Sequence, residues 1–422
     1  MRKIDIILNY YISFGNMKVK VIDLVFCICV LIISLNARIA LFPRISGDYI
    51  GFLLPWMDSI KELKGLASLG HEISNYSSAY MIIMSFLSYL RVDPLYSLKA
   101  VSVFFDYVAA FAVFALIFVL THNSRRAIIG MSALLMIPTG ILNSAYWAQC
   151  DMIYVSFILL GLCYYFNGNA KQAVWLTAIA LAFKLQALFI LPFYVIMWIK
   201  PYVGKNGIRC EVNPLYFLAL PIPYLAFTLP GIILGRGIIS SIGVYMNQAD
   251  TYPWLTLNYP NIYAFFNQTY LVEPQISELA KSGVWMTMLT LGVLAYFLYV
   301  KDVRMNANMT VTTALFSVLI VLYGLPHMHE RYGLLIDVLA IIYAILRPSR
   351  LPVAIGLITG SLMSYMLFLF GREGLPPFYH AIFQLILIIF VGMDLYKQSK
   401  GVKRRIRLST IVPESTHSTN ED

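Results

Sequence analysis

Four polar clusters interrupt a chain that is otherwise mostly apolar. They are Ile45-Ser46-Gly47-Asp48-Tyr49, Asn143-Ser144-Ala145-Tyr146-Trp147-Ala148-Gln149-Cys150-Asp151, Phe183-Lys184-Leu185-Gln186 and Leu325-Pro326-His327-Met328-His329-Glu330-Arg331-Tyr332. Together they supply carboxylates, amides and cations. That set suits transfer of a group from a phosphate to a hydroxyl. A carboxylate takes the acceptor proton, and cations or hydrogen-bond donors stabilise the departing phosphate. Asp48 is the preferred base; the competing reading makes it a cap for the helix that follows. Asp151 is either a second functional carboxylate or the cap of the span starting at Met152. Lys184 is costly in an apolar stretch unless it is used or paired, and a phosphate contact is favoured over a structural pair with a carboxylate. Arg331 is the best phosphate ligand, because its planar fork can hold two phosphate oxygens at once. His327 and His329 are two apart and would not share a helix face, so a histidine metal site has little support. No Asp-x-Asp pair accompanies Asp48, which leaves dependence on a divalent metal open. His71 reads as a solvated loop residue.

The elements that must position these groups are membrane helices. Of 422 residues, 59% are hydrophobic and 12% charged, and the mean hydropathy is +0.73, outside the soluble range. A spanning barrel would need roughly ten-residue alternating segments, whereas here apolar runs are separated by basic turns. The expectation is an all-α polytopic membrane protein with the lipid bilayer as a partner. A formal charge of +10 would suggest nucleic acid in a soluble protein. Here the basic residues sit in short loops and the tail, so an anionic inner leaflet is expected instead, and no nucleic acid. Cys27, Cys29, Cys150, Cys163 and Cys210 are scattered without metal-ligand spacing and read as small apolar core residues.

Taken in order, residues 1–20 carry Arg2, Lys3, Lys18 and Lys20 ahead of an apolar run at 21–40. This is expected to be an uncleaved anchor with a cytoplasmic N-terminus. After Asp48 comes an amphipathic stretch in which Phe52, Leu53, Trp56, Met57, Ile60 and Leu63 recur at helical spacing, with Pro55 suited to a first turn. It is expected to lie flat on the outer interface, followed by a second interfacial or re-entrant helix at 81–90. Spans are expected at 97–120, 127–142 and 152–166, and as two short helices within 174–199 broken at 183–186. Further spans are expected at 213–230, 284–300, 311–325, 334–346, 355–370 and 381–395. A long external loop at 231–282 carries Asn247, Gln248, Tyr252, Trp254 and Thr256-Leu257-Asn258-Tyr259-Pro260-Asn261-Ile262-Tyr263. With about 12 crossings and both termini inside, every basic cluster falls on the cytoplasmic side. The organisation is then a cytoplasmic segment 1–20, one transmembrane domain 21–396, and a tail 397–422 that is basic and, after Ser409, disordered.

The order of these motifs, joined by Leu54-Pro55-Trp56, Asn75-Tyr76-Ser77-Ser78-Ala79-Tyr80 and Ala182-Phe183-Lys184-Leu185-Gln186-Ala187, resembles the bacterial GT-C glycosyltransferases related to the second GPI mannosyltransferase. The resemblance covers roughly residues 36–371. It implies an inverting transferase with a polyprenyl-phosphate sugar donor and a glycan or glycolipid acceptor. The site would lie on the outer face of the cytoplasmic membrane, with the catalytic Asp in the first external loop, here Asp48. Substrate contacts are expected from Arg331, His327, His329, Glu330, Lys184, Gln186, Asp151, Gln149, Asn258, Asn261 and Tyr332. Trp147, Trp254 and Tyr263 are candidates for stacking on sugar rings. Two departures stand out. Ser77-Ser78 occupies a place where relatives usually have prolines, and Gly333 follows Tyr332 where an aromatic is common, which would open space beside Arg331. Two other classes compete: a transporter of lipid-linked saccharide, which would show internal symmetry and charges through the bilayer centre, and a polysaccharide polymerase.

Overall fold

The helix Val21–Leu41 is apolar apart from a few residues whose polar groups are used. Buried Arg38 donates from Nε to Asp106 Oδ2 at 2.7 Å and from Nη1 to the Leu135 carbonyl at 2.9 Å. Ser144 donates to the same Asp106 oxygen. A charge inside a helical bundle persists only when paired in this way, and the network ties three helices to the second polar cluster. This computed structural model describes residues 5, 7–15, 17–204, 207–249, 254–301, 303–371 and 376–409.

The fold is nearly all-α, as expected. Among the described residues seven helices are long and apolar enough to cross a membrane: Val21–Leu41, Pro94–Thr121, Pro214–Ile233, Glu273–Val300, Ala307–Gly324, Pro348–Phe370 and Pro377–Lys400. An eighth arises if Ser124–Met136 and Pro138–Tyr146, bent by 51°, form one span. The bend falls at Ile137, whose φ −65° and ψ 131° are those imposed on a residue before proline. Together these helices suggest a multi-pass membrane protein compatible with a lipid bilayer.

Of the roughly 12 expected crossings, seven or eight coincide with helices of that length among the described residues. Four expected crossings fall on Asp151–Phe166, Ala170–Phe183, Leu185–Ile199 and Leu334–Leu346, each shorter than 18 residues. At 1.5 Å per residue they measure roughly 20–24 Å, short of the ~30 Å hydrocarbon core. Nearly every side chain of Asp151–Phe166 and of Leu334–Leu346 is buried by other helices. Hydropathy by itself does not separate such a core helix from a lipid-facing span. The expected break near Lys184 is present: its φ −147° and ψ 137° interrupt two helical segments. The long loop is shorter than expected, because Glu273–Val300 begins well before residue 284, with Pro in its first turn and Gln275 capping the Val272 N–H. The last helix runs through Pro377–Ser409, past the expected boundary at 396. The expected disorder after Ser409 and the position of Tyr252 lie outside the described residues.

Among the described residues, only short strands accompany the helices. Tyr11–Phe14 and Met17–Lys20 form an antiparallel hairpin before the helix Val21–Leu41, and Tyr202–Val203 pairs with Arg209–Cys210. The third ribbon matters for the site: Thr256–Leu257 runs parallel to Met328–His329, so the 254–263 loop is stitched to the His-Glu-Arg turn.

Candidate functional site

All four polar clusters begin or end helices at one end of the bundle. The segment leading to Asp48 is fastened by Lys99, whose Nζ donates to the carbonyls of Leu41, Phe42 and Arg44 at 3.1, 3.0 and 2.5 Å. These carbonyls lie at and just beyond a helix C-terminus, where acceptors lack partners one turn on, although Leu41 also accepts the Arg44 N–H at 3.0 Å, and a cation there suits the helix dipole. Asp48 does not cap the helix after it. Its backbone is helical, its side chain makes no capping bond, and Ser46 Oγ accepts the Tyr49 N–H instead. Its carboxylate turns across the bundle, where Oδ2 accepts from Trp147 Nε1 at 2.9 Å and from Gln149 Nε2 at 2.7 Å.

Two donors from residues two apart can reach one oxygen because the backbone between them is unusual. A five-residue π turn, Leu142–Tyr146, precedes Trp147, and Ala148 adopts φ 65°. A left-handed alanine costs about 1–2 kcal/mol, and such outliers cluster where geometry is functional. A second π turn, Tyr49–Leu53, directly follows Asp48. Gln149 is itself held in register, since its Oε1 accepts from the Tyr76 hydroxyl at 3.0 Å. Tyr76 packs edge-on to Trp56, so the helix Leu54–Glu62 and the Asn75-Tyr76 turn position Asp48 from the far side.

Asp151 is not the cap of a helix starting at Met152: it is the first residue of the helix, Cys150 stands at the cap position, and the Asp151 carboxylate serves ion pairs. Oδ1 takes Lys184 Nζ at 2.5 Å, and Oδ2 takes Asn143 Nδ2 at 2.8 Å and faces Arg331 Nε at 3.8 Å. Lys184 is therefore paired with a carboxylate, the less favoured of the two expectations, while also lining the cavity described below. The Arg331 guanidinium lies 5.5 Å from the Trp147 ring and 5.9 Å from that of Tyr332. It bonds Glu330 Oε1 at 3.2 Å and stands 4.0 Å from Asp48 Oδ2. Glu330 is buried at 1% exposure, and that burial, with help from the Asp48 charge and against Arg331, pushes its carboxyl up to about 7. Burial, with the Arg331 and Lys184 charges, pushes His329 down to about 2, so its ring stays neutral.

These groups face a cavity of about 800 Å³, within the range that holds a ligand. Nine expected site residues line it: Asp48, Gln149, Lys184, Gln186, Asn258, His329, Glu330, Arg331 and Tyr332. Three do not. Asp151 is enclosed behind Lys184 and Arg331. Asn261 is fully buried; its side chain caps the Tyr263 N–H and donates to the Leu325 carbonyl at 3.3 Å. His327 places Nδ1 2.8 Å from the Trp254 carbonyl. The last two clasp the 254–263 loop to the end of Ala307–Gly324, supplying polar partners that a buried loop requires.

The aromatic expectations divide in the same way. Trp147 is wholly buried, stacked on Phe368 at 4.7 Å and edge-on to Tyr365. It holds Asp48 and has no face for a sugar. Tyr263 is buried with its hydroxyl on the Gly324 carbonyl. Trp254 remains 43% exposed at the cavity wall. Gly333 does not open space beside Arg331: a Cβ there would come within 2.7 Å of Ser361 Oγ, away from this cavity. Ser77, at the other departure, donates to the Phe183 carbonyl at 2.8 Å and so secures the break at Lys184. Sequence reasoning missed the positioning role of Tyr76 and Trp147, although both lie in quoted motifs. No three His, Cys, Asp or Glu side chains among the described residues converge to hold a metal ion.

No protein-family model and no curated protein matches this chain.

Proposed function

We propose that the chain is an inverting membrane glycosyltransferase of the GT-C type, related to the GPI mannosyltransferase II family. It moves mannose or another hexose from a polyprenyl-phosphate donor to a cell-envelope glycan or lipid-linked acceptor. The site opens on the outer face of the cytoplasmic membrane, with both termini inside. One observation carries the reading: at one cavity, a carboxylate fixed by two N–H donors stands 4.0 Å from a guanidinium that lies 5.5 and 5.9 Å from two aromatic rings. A base and an anion-binding fork sharing one cavity can serve the acceptor hydroxyl and the departing phosphate of one displacement.

In this mechanism Asp48 takes the proton of the acceptor hydroxyl, whose oxygen bonds to the anomeric carbon from the face opposite the phosphate. The bond from that carbon to the phosphate oxygen breaks, and the electron pair leaves with polyprenyl phosphate. Arg331 stabilises the charge gathering there, as preorganised donors do where charge develops. Phe52, Trp56, Phe265, Phe266 and Phe378 on the cavity walls suit an isoprenoid chain.

The test is transfer in membranes from a panel of radiolabelled polyprenyl-phosphate sugars to extracted envelope glycans, comparing wild type with Asp48→Asn. Transfer by wild type and loss of about 10²–10⁴-fold in a normally inserted variant is expected. Retained activity in Asp48→Asn would remove the base assignment. Movement of lipid-linked glycan across the bilayer without any transfer would replace the enzyme with a transporter.

A further inference from the structure

We propose that Glu330 takes up a proton from solvent when the donor phosphate docks on Arg331, and releases it when the lipid phosphate leaves. The inference rests on the reading of Arg331 as the phosphate contact.

Charge balance around one guanidinium leads to it. Asp48, Asp151 and Glu330 all lie within 4.0 Å of Arg331. Lys184, the other cation of the cluster, is engaged with Asp151. Three carboxylates against two cations leave one net negative charge before any substrate arrives. A phosphodiester anion would bring a second into a largely buried site, where unbalanced charge is expensive. One carboxylate must therefore be neutralised for the anion to be held.

The three are not equal. Asp151 keeps Lys184 and Asn143. Asp48 keeps the Trp147 and Gln149 N–H groups. Glu330 relies on Arg331 at 3.2 Å and on its own backbone N–H. His329 Nδ1, 4.0 Å from Oε2, is too distant to hydrogen-bond. A phosphate that draws the guanidinium leaves Glu330 without its counterion, and a carboxylate so buried is more stable protonated. The neutral His329 ring cannot substitute as a cation, and Lys184 adds a positive charge only on the Asp151 side. The raised Glu330 carboxyl agrees with this placement. The acid form then donates a hydrogen bond where the ion would repel the incoming anion.

The test is calorimetric binding of farnesyl methyl phosphate, a phosphodiester with no second proton to lose, to the purified full-length protein. At pH 8, in two buffers of different ionisation heat, uptake of close to one proton per ligand is expected. Kd should weaken about tenfold per pH unit above 7 and level off below about 6. Glu330→Gln should bind at pH 8 as tightly as wild type does at pH 6, with no proton uptake. The wild-type measurement stands even where the variant fails to fold. Binding by wild type without proton uptake, or undiminished uptake in Glu330→Gln, overturns the proposal while leaving the phosphate site intact. Absence of binding at every pH overturns both.

Discussion

Breaking the Lys184–Asp151 pair should destabilise the protein strongly, whereas replacing both partners should not. Nζ and Oδ1 are 2.5 Å apart, with 5% and 2% of the two side chains exposed. Removing one partner of such a pair leaves a lone buried charge at a cost of roughly 3–5 kcal/mol, while an apolar replacement of the whole pair is often neutral. Geometry ranks the single variants. In Lys184→Met, Asp151 retains Asn143 at 2.8 Å and Arg331 at 3.8 Å, so the loss should fall near the lower figure. In Asp151→Leu, Lys184 keeps only the Tyr76 ring face, 5.3 Å away, among its described contacts, and the loss should reach the upper one. The double variant should lie within about 2 kcal/mol of wild type, giving a coupling of several kcal/mol. Unfolding in mixed SDS micelles, followed by intrinsic fluorescence, measures all four corners of the cycle. Single variants that each cost under about 1 kcal/mol, or a strictly additive double variant, would refute the buried-pair argument. Sugar transfer by the double variant adds a functional reading, because full activity in the folded protein would show that neither Lys184 nor Asp151 is needed for the reaction.

Three further outcomes are expected. Trp147→Phe keeps the ring packing but removes one N–H from Asp48; a hydrogen bond to a charged group contributes about 1.5–3 kcal/mol, so transfer should fall roughly 10–100-fold with KM little changed, read from initial rates. Folding stability should depend on Glu330: its carboxyl is raised to about 7 in the folded state from an ordinary value near 4.5, so the folded form binds more protons between those values. Its stabilising contribution is complete below about pH 4.5 and is lost as pH rises through 7, and thermal unfolding of Glu330→Gln should show a flatter decline over that window. Lys99→Met should leave the Phe42 and Arg44 carbonyls without the ammonium and Leu41 with the Arg44 N–H, and loosen the Asp48 segment. Faster backbone hydrogen exchange at 42–48 is the check, and unchanged protection would refute the fastening role.

Much of this molecule was legible as chemistry and hydropathy. The nearly all-α membrane architecture, the break at Lys184, and nine of the residues lining the cavity follow from residue type and local pattern. Those are properties of a short window of chain, set by apolar run length and by the cost of leaving a charge in hydrocarbon. The number of spans was not legible in the same way, since a short apolar helix reads alike whether lipid or protein surrounds it. Nor were the roles of Asn261 and His327, because a polar side chain that clasps a loop has the same composition as one that meets a ligand.

What only the tertiary structure decided is which partner neutralises which charge. Asp48 finds its two donors 99 and 101 positions away, and whether Asp151 faces Lys184, a helix N-terminus or the cavity depends on how three helices meet. Carboxylates of identical covalent structure thus acquire different tasks. The deciding quantity is the local count of charges and hydrogen-bond donors in a low-dielectric site, and only the folded chain brings that count together.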